Sequence, residues 1–167
     1  MCAIGPTSHR PAPQKRTVPG NRALRRGRVS FPNHVYLVTT ATRKREPVFR
    51  EFMAGCAAAR CFDDPRTLGH AQMLAWVLMP DHVHWLIRLG GSQELGAVVN
   101  RLKSRSARVA NKALRRGGPL WAPAFHDHAL RADEDLRRSA RYLIANPVRA
   151  GLVERIGDYA FWNAIWL

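Results

Sequence analysis

Apolar and polar positions along this chain repeat with two different periods, and the changes of period mark its elements. Val35 to Thr42 (VYLVTTAT) is rich in β-branched residues and predicts a first strand. A helix is predicted from about Phe49 to Cys61, where Phe52, Cys56 and Ala59 recur at helical spacing, and Asp63, Asp64, Pro65 and Gly69 mark the loop that ends it. His70 to Met79 is apolar on both faces, the pattern of a central strand covered on both sides. Pro80-Asp81 then makes a tight turn, His82 to Leu89 returns antiparallel, and Gly90-Gly91 stops it.

From Gln93 to Arg116 a helical period takes over, with Leu95, Val98, Val99, Leu102, Val109 and Ala113 on one face. Phe125 to Leu130 (FHDHAL) alternates as a short edge strand. Asp133, Glu134 and Asp135 open a third helix, acids placed where the N-terminal dipole favours them, and it runs to about Ala145. Its buried side is Leu136, Ala140, Leu143 and Ile144, while Asp135, Ser139, Tyr142 and Asn146 form a separate row along the edge. Pro147 disfavours helical geometry at Asn146 and bends this end. The tail from Val148 predicts a helical turn, then Tyr159, Phe161, Trp162 and Trp166 covering the core.

The order β, α, β, β, α, β, α predicts an α+β sandwich, an antiparallel sheet with helices on one face and an extra C-terminal helix bearing Tyr142. The ferredoxin-like, split βαβ arrangement is the simplest topology that fits. Residues 31–167 are expected to form one domain. Residues 1–30 hold seven Arg or Lys and no acid, and are expected to be a disordered basic arm.

Charge changes the picture more than size does. A net charge of +15 over 167 residues points to a polyanionic partner, nucleic acid before a membrane surface. No apolar run is long enough for a transmembrane helix, and no signal-peptide core is seen at the N-terminus. Three cysteines without a CxxC pair argue for a reducing compartment, so a soluble cytoplasmic, nucleoid-associated protein is expected. Arg43, Lys44 and Arg45, with the stripe of Arg101, Arg105, Arg108, Lys112 and Arg116, are candidate backbone-phosphate contacts, and Lys103 and Arg149 join them. The stripe has no acid between Glu94 and Asp127 to pair with, unlike an ordinary solvated helix face. Trp121 could stack an unpaired base or pack in the core.

Residues two apart on a strand share a face, so His82 and His84 project together, with Val83 and Trp85 behind them. Two imidazoles on a rigid strand can hold a metal, although such a pair is equally the mark of packing or surface histidines. His126 and His128 repeat the spacing, as polar positions of an edge strand or as substrate contacts. A zinc site from these histidines with a cysteine lacks ligand spacing.

MPDHVHWLI, followed downstream by RYLIANPVRAGLV, resembles the single-tyrosine HUH transposases, and more closely their REP-associated tyrosine transposase branch. The resemblance spans roughly residues 30 to 165. It implies cleavage and rejoining of single-stranded DNA, with Tyr142 as nucleophile forming a 5′-phosphotyrosine and with magnesium or manganese on His82 and His84. Two imidazoles are a soft set for magnesium, so an oxygen donor is required. Asn146 stands where related transposases often place a glutamine ligand, and Asp81 where asparagine is more usual. The implied substrate is a hairpin of a palindromic repeat, and the implied assembly a monomer or homodimer. Two other classes remain: a domesticated nucleic-acid-binding protein that does not cut, and an RNA-associated ferredoxin-like domain. Of the three, only the cutting and rejoining of DNA uses His82, His84, Tyr142 and Asn146 together.

Overall fold

The computed structural model describes residues 30–91, 93–131 and 135–166; the expected basic arm lies outside them, save Ser30. The elements are β1 (Val35–Ala41), α1 (Phe52–Ala59), α2 (Pro65–Leu68), β2 (Gln72–Leu78), β3 (His82–Arg88), α3 (Leu95–Ala113), β4 (His126–Ala129), α4 (Leu136–Ile144), α5 (Asn146–Arg149) and β5 (Trp162–Ala164). The strands form one sheet in the order β4-β1-β3-β2-β5, with every pairing antiparallel. The first four strands with α1 and α3 make the expected split βαβ pattern.

Period two on the strands divides the interior into two layers. Val38, Val83, Trp85 and Ile87 face α1 and α3, where Phe62 meets both Trp76 and Trp85 edge-on at 5.3 Å. Val35, Leu74, Ala75, Val77 and Leu86 face the other way, against Ala140, Leu143 and Ile144 of α4. In β2 a bulge lies between Met73 and Ala75, where Met73 pairs with Ile87, Ala75 with Leu86, and Leu74 is the extra residue, so the consecutive Leu74 and Ala75 both enter the second layer. The tyrosine-bearing helix therefore covers the sheet face opposite to α1 and α3.

Two differences from the expected elements have local causes. α4 stops at Ile144 and a separate turn, α5, begins at Asn146, because Pro147 has no N–H to continue the ladder. β5 was not foreseen: three residues among aromatics give too little alternation to read as a strand, yet it pairs with β2 from Ala75 to Val77. At the far end of β3, Gly90 is required by contact, since a Cβ there would lie 1.9 Å from the His70 carbonyl oxygen.

Candidate functional site

The turn between β2 and β3 is held from several sides. Met79 N–H donates to the His82 carbonyl (2.8 Å), Phe49 N–H to that of Pro80 (2.9 Å), and Thr42 N–H to that of Asp81 (2.8 Å), while the Thr42 hydroxyl is placed between the carbonyls of Glu46 (2.7 Å) and Asp81 (3.0 Å). This fixes the start of β3, from which His82 and His84 rise on the α4 face with ring centroids 4.9 Å apart.

Each imidazole is anchored through Nδ1. His82 Nδ1 lies 2.6 Å from Asp81 Oδ1, and a carboxylate can only accept, so Nδ1 carries a proton and the lone pair of the neutral ring is on Nε2. His84 Nδ1 lies 2.7 Å from Thr39 Oγ1, its neighbour across the β1–β3 pair. With the hydroxyl accepting, Nε2 of His84 is bare as well. Burial, then the charges of His82, Arg149 and Arg45, push the His84 pKa down to about 4, so this ring is neutral at pH 7, the form that binds metal. The other oxygen of Asp81 meets Arg45 at 3.2 Å. Arg45 and Lys44 reach their places with φ of 57°, a left-handed conformation that costs roughly 1–2 kcal/mol per residue.

The second half of the site is the junction of α4 and α5. Tyr142 is 65% exposed. The Arg149 guanidinium lies over its ring, 3.9 Å from the centroid, and donates to the Tyr142 carbonyl (2.6 Å) and to Asn146 Oδ1 (2.7 Å). Asn146 Nδ2 donates to the Leu143 carbonyl at 2.6 Å. Arg149 thus binds the tyrosine and the asparagine, and its charge is felt at His84. That link was not legible in the sequence, where Arg149 was only one more basic residue; its spacings of three and seven from Asn146 and Tyr142 were the available signal.

An HUH-type metal fits the histidine half: two Nε2 lone pairs, both held by outer partners. The third donor fits less simply, because Arg149 already uses one lone pair of the Asn146 amide oxygen. Among the described residues no group of three or more His, Cys, Asp or Glu stands ready for a metal.

Several residues of the expected DNA surface have partners inside the protein. Trp121 is core, 6% exposed, against Phe49 and Trp85, with its Nε1–H donated to Ser106. Arg101 caps the Thr67 and Leu68 carbonyls, Lys103 donates to those of Ala122 and Pro123, and Arg105 pairs with Asp64 at 3.0 Å. Arg108 and Lys112 are exposed, but all of α3 lies on the sheet face away from the histidines. The acids missing from the stripe come from other segments: Asp64 here, and Glu46 for Arg116. Arg43, Lys44 and Arg45 are exposed beside the histidine hairpin. His126 and His128 are exposed too, and Thr39 pairs with His84 on one side and His126 on the other. His126 therefore leaves the same face, two strand spacings or about 10 Å from His84.

Residues 30–142 match the model of the IS200-like transposases. The chain belongs to that family. It is 30% identical over 88 residues to the REP-associated tyrosine transposase of Escherichia coli K12, covering 52% of this chain and 50% of that protein. A Haemophilus influenzae protein provisionally given the same name is 29% identical over 100 residues, 54% of this chain and 57% of the relative. The chain thus matches about half the length of these curated relatives. Among solved structures, a REP-associated tyrosine transposase bound to a REP hairpin superposes with a TM-score of 0.64 at 22% identity, over 81% of this chain and 79% of that one. At that identity the likeness shows a shared fold. Among the described residues no helix is long and apolar enough to cross a membrane.

Proposed function

We propose that this transposase-family chain is a metal-dependent single-strand endonuclease and strand transferase acting on hairpins of palindromic repeats through Tyr142. The observation that carries the reading is the Arg149 link: one guanidinium touches Tyr142 and Asn146 and lowers the proton affinity of His84. A magnesium or manganese ion held by His82, His84 and Asn146 would supply charge stabilisation at a phosphodiester oxygen. The Tyr142 oxygen attacks phosphorus, the bond from phosphorus to the 3′ oxygen breaks, and the phenolic proton is lost as the leaving oxygen gains one. The products are a 5′-phosphotyrosine and a free 3′-hydroxyl, and the ester keeps the bond energy needed for rejoining without ATP. Asp81 and Thr39 orient the two rings, and Arg149 holds the phenol against the helix end. The hairpin substrate is carried over from the solved relative with a REP hairpin.

One observation favours a chain that binds without cutting: both ends of the Asn146 amide are bonded inside the protein. Incubation with an end-labelled single-stranded hairpin and manganese, followed by denaturing electrophoresis, separates the two. A retarded covalent band is expected from the wild type and none from Tyr142→Phe. Retained binding with no band on any repeat of the host genome would establish the non-cutting protein instead.

A further inference from the structure

The arginines of α4 have no role in the site just described, and their placement is unfavourable for the fold alone. Arg137, Arg138 and Arg141 are all exposed, and none makes an ion pair with a described residue. Arg137 and Arg138 stand in the first turn, where the helix dipole disfavours cations, and Arg137 and Arg141 repel at i,i+4 spacing. Asp135 accepts from the Arg137 and Arg138 N–H groups, a cap that leaves the guanidinium charges in place. On α3, by contrast, Arg101 is tied to carbonyls and Arg105 to a carboxylate.

At 100° per residue, Arg137 and Arg141 share the flank of α4 beyond the buried Ile144. Arg138 and Tyr142 share the outer row, and Asn146 falls on the remaining flank. Arg137 and Arg141 border a shallow depression whose other walls are Ala140 and the half-buried Trp166. From Tyr142 the surface therefore passes to Arg138, one turn or about 6 Å along the axis, and down to a cationic hollow with an indole in its wall. Cations beside a partly open aromatic ring are the elements of a single-strand platform. Val148 on α5 and Ile165 next to Trp166 are exposed apolar side chains as well, but the cations and the exposed tyrosine of α4 favour a nucleic-acid strand over a membrane surface.

We propose that α4 is the track for the single-stranded DNA flanking the hairpin: Arg137, Arg138 and Arg141 hold its phosphates and Trp166 stacks one of its bases. This rests on the reading of Tyr142 as the cutting residue. It adds that the strand crosses the helix that bears the nucleophile, rather than following the basic stripe of α3.

The test uses the full chain with Tyr142→Phe, so that binding is read without covalent trapping. Fluorescence anisotropy compares a labelled DNA hairpin with a single-stranded flank and the same hairpin cut blunt. Arg137→Ala with Arg141→Ala should weaken the flanked hairpin about tenfold, leave the blunt one within about twofold, and reduce the log–log salt slope by about 1.4, or 0.7 per phosphate. Trp166→Ala should weaken the flanked hairpin by at least about fivefold and Trp166→Phe should restore most of that loss, since any ring stacks. Arg60→Ala with Arg66→Ala, on α1's end and α2, should change neither. An unchanged flanked affinity, an equal loss on the blunt hairpin, or an equal loss in the Arg60/Arg66 pair overturns the track. So does tighter binding of an RNA flank than of the DNA flank. Loss of flank binding in the α4 pair, from a wild-type chain that forms no covalent band, would keep the track and remove the nuclease reading.

Discussion

Alternate residues of β3 build two unlike surfaces. Val83, Trp85 and Ile87 enter a buried layer rich in aromatic rings, where Phe49, Phe62, Trp76 and Trp121 also lie, and Arg101 and Arg105 of its α3 are bonded by carbonyls and a carboxylate. His82 and His84 enter the layer beneath α4, where the buried residues are mostly aliphatic, the imidazoles are half-buried and the nearby arginines face solvent. Under the proposed function the first face stays closed and the second meets the substrate. Net charge alone does not separate them, because both carry arginines; the partners of those arginines do.

The contrast is sharpest at two consecutive residues. Trp85→Ala should cost about 3–5 kcal/mol, the range for emptying a buried aromatic site, and should broaden or abolish the thermal transition. His84→Ala should remove cleavage entirely while shifting stability by no more than about 1 kcal/mol. Calorimetry and the hairpin assay on the same pair decide it, and a His84→Ala chain that still cuts would end the metal assignment. A smaller effect is expected one strand away. Thr39→Val removes the anchor of His84 but little volume, so manganese affinity, read by titration calorimetry, should fall roughly tenfold to a hundredfold. Unaltered affinity would mean the hydroxyl does not orient the ring. Smallest of all, Arg105→Ala breaks an ion pair about a third exposed at the arginine, worth about 0–1 kcal/mol, and DNA binding should not change. A large binding loss there would return the substrate to the α3 face and collapse the distinction between the two.

Much of this was legible in the chain. Period two placed His82 with His84 and Trp85 behind them, and period 3.6 put Tyr142 at the edge of an amphipathic helix. What could not be read were relations between segments far apart. The stripe from Arg101 to Arg116 looked free of acids because its acids, Asp64 and Glu46, belong to loops that come before it. Trp121 follows a Gly-Gly-Pro loop and could be read as a stacking ring or as core; only the fold shows that Ser106, fifteen residues earlier, takes its N–H in the core. Thr39 carried no visible sign that it would sit opposite His84, since strand register is fixed by pairing and not by composition. β5 escaped for the related reason that three residues have too short a period to detect.

The bonds around the β2–β3 turn have a further consequence, in time rather than in space. Carbonyls of Pro80 and Asp81 are gripped by Phe49 and Thr42, and the strands on either side are central and almost wholly buried. Amides in such a segment exchange with solvent only when the whole domain opens. α4 has nine residues, packs through one narrow apolar side and ends at a proline break, so it can lift by itself at far lower free energy. The histidines therefore sit on a more firmly held segment than the tyrosine, and under the proposed function that difference would let Tyr142 move over a fixed histidine pair.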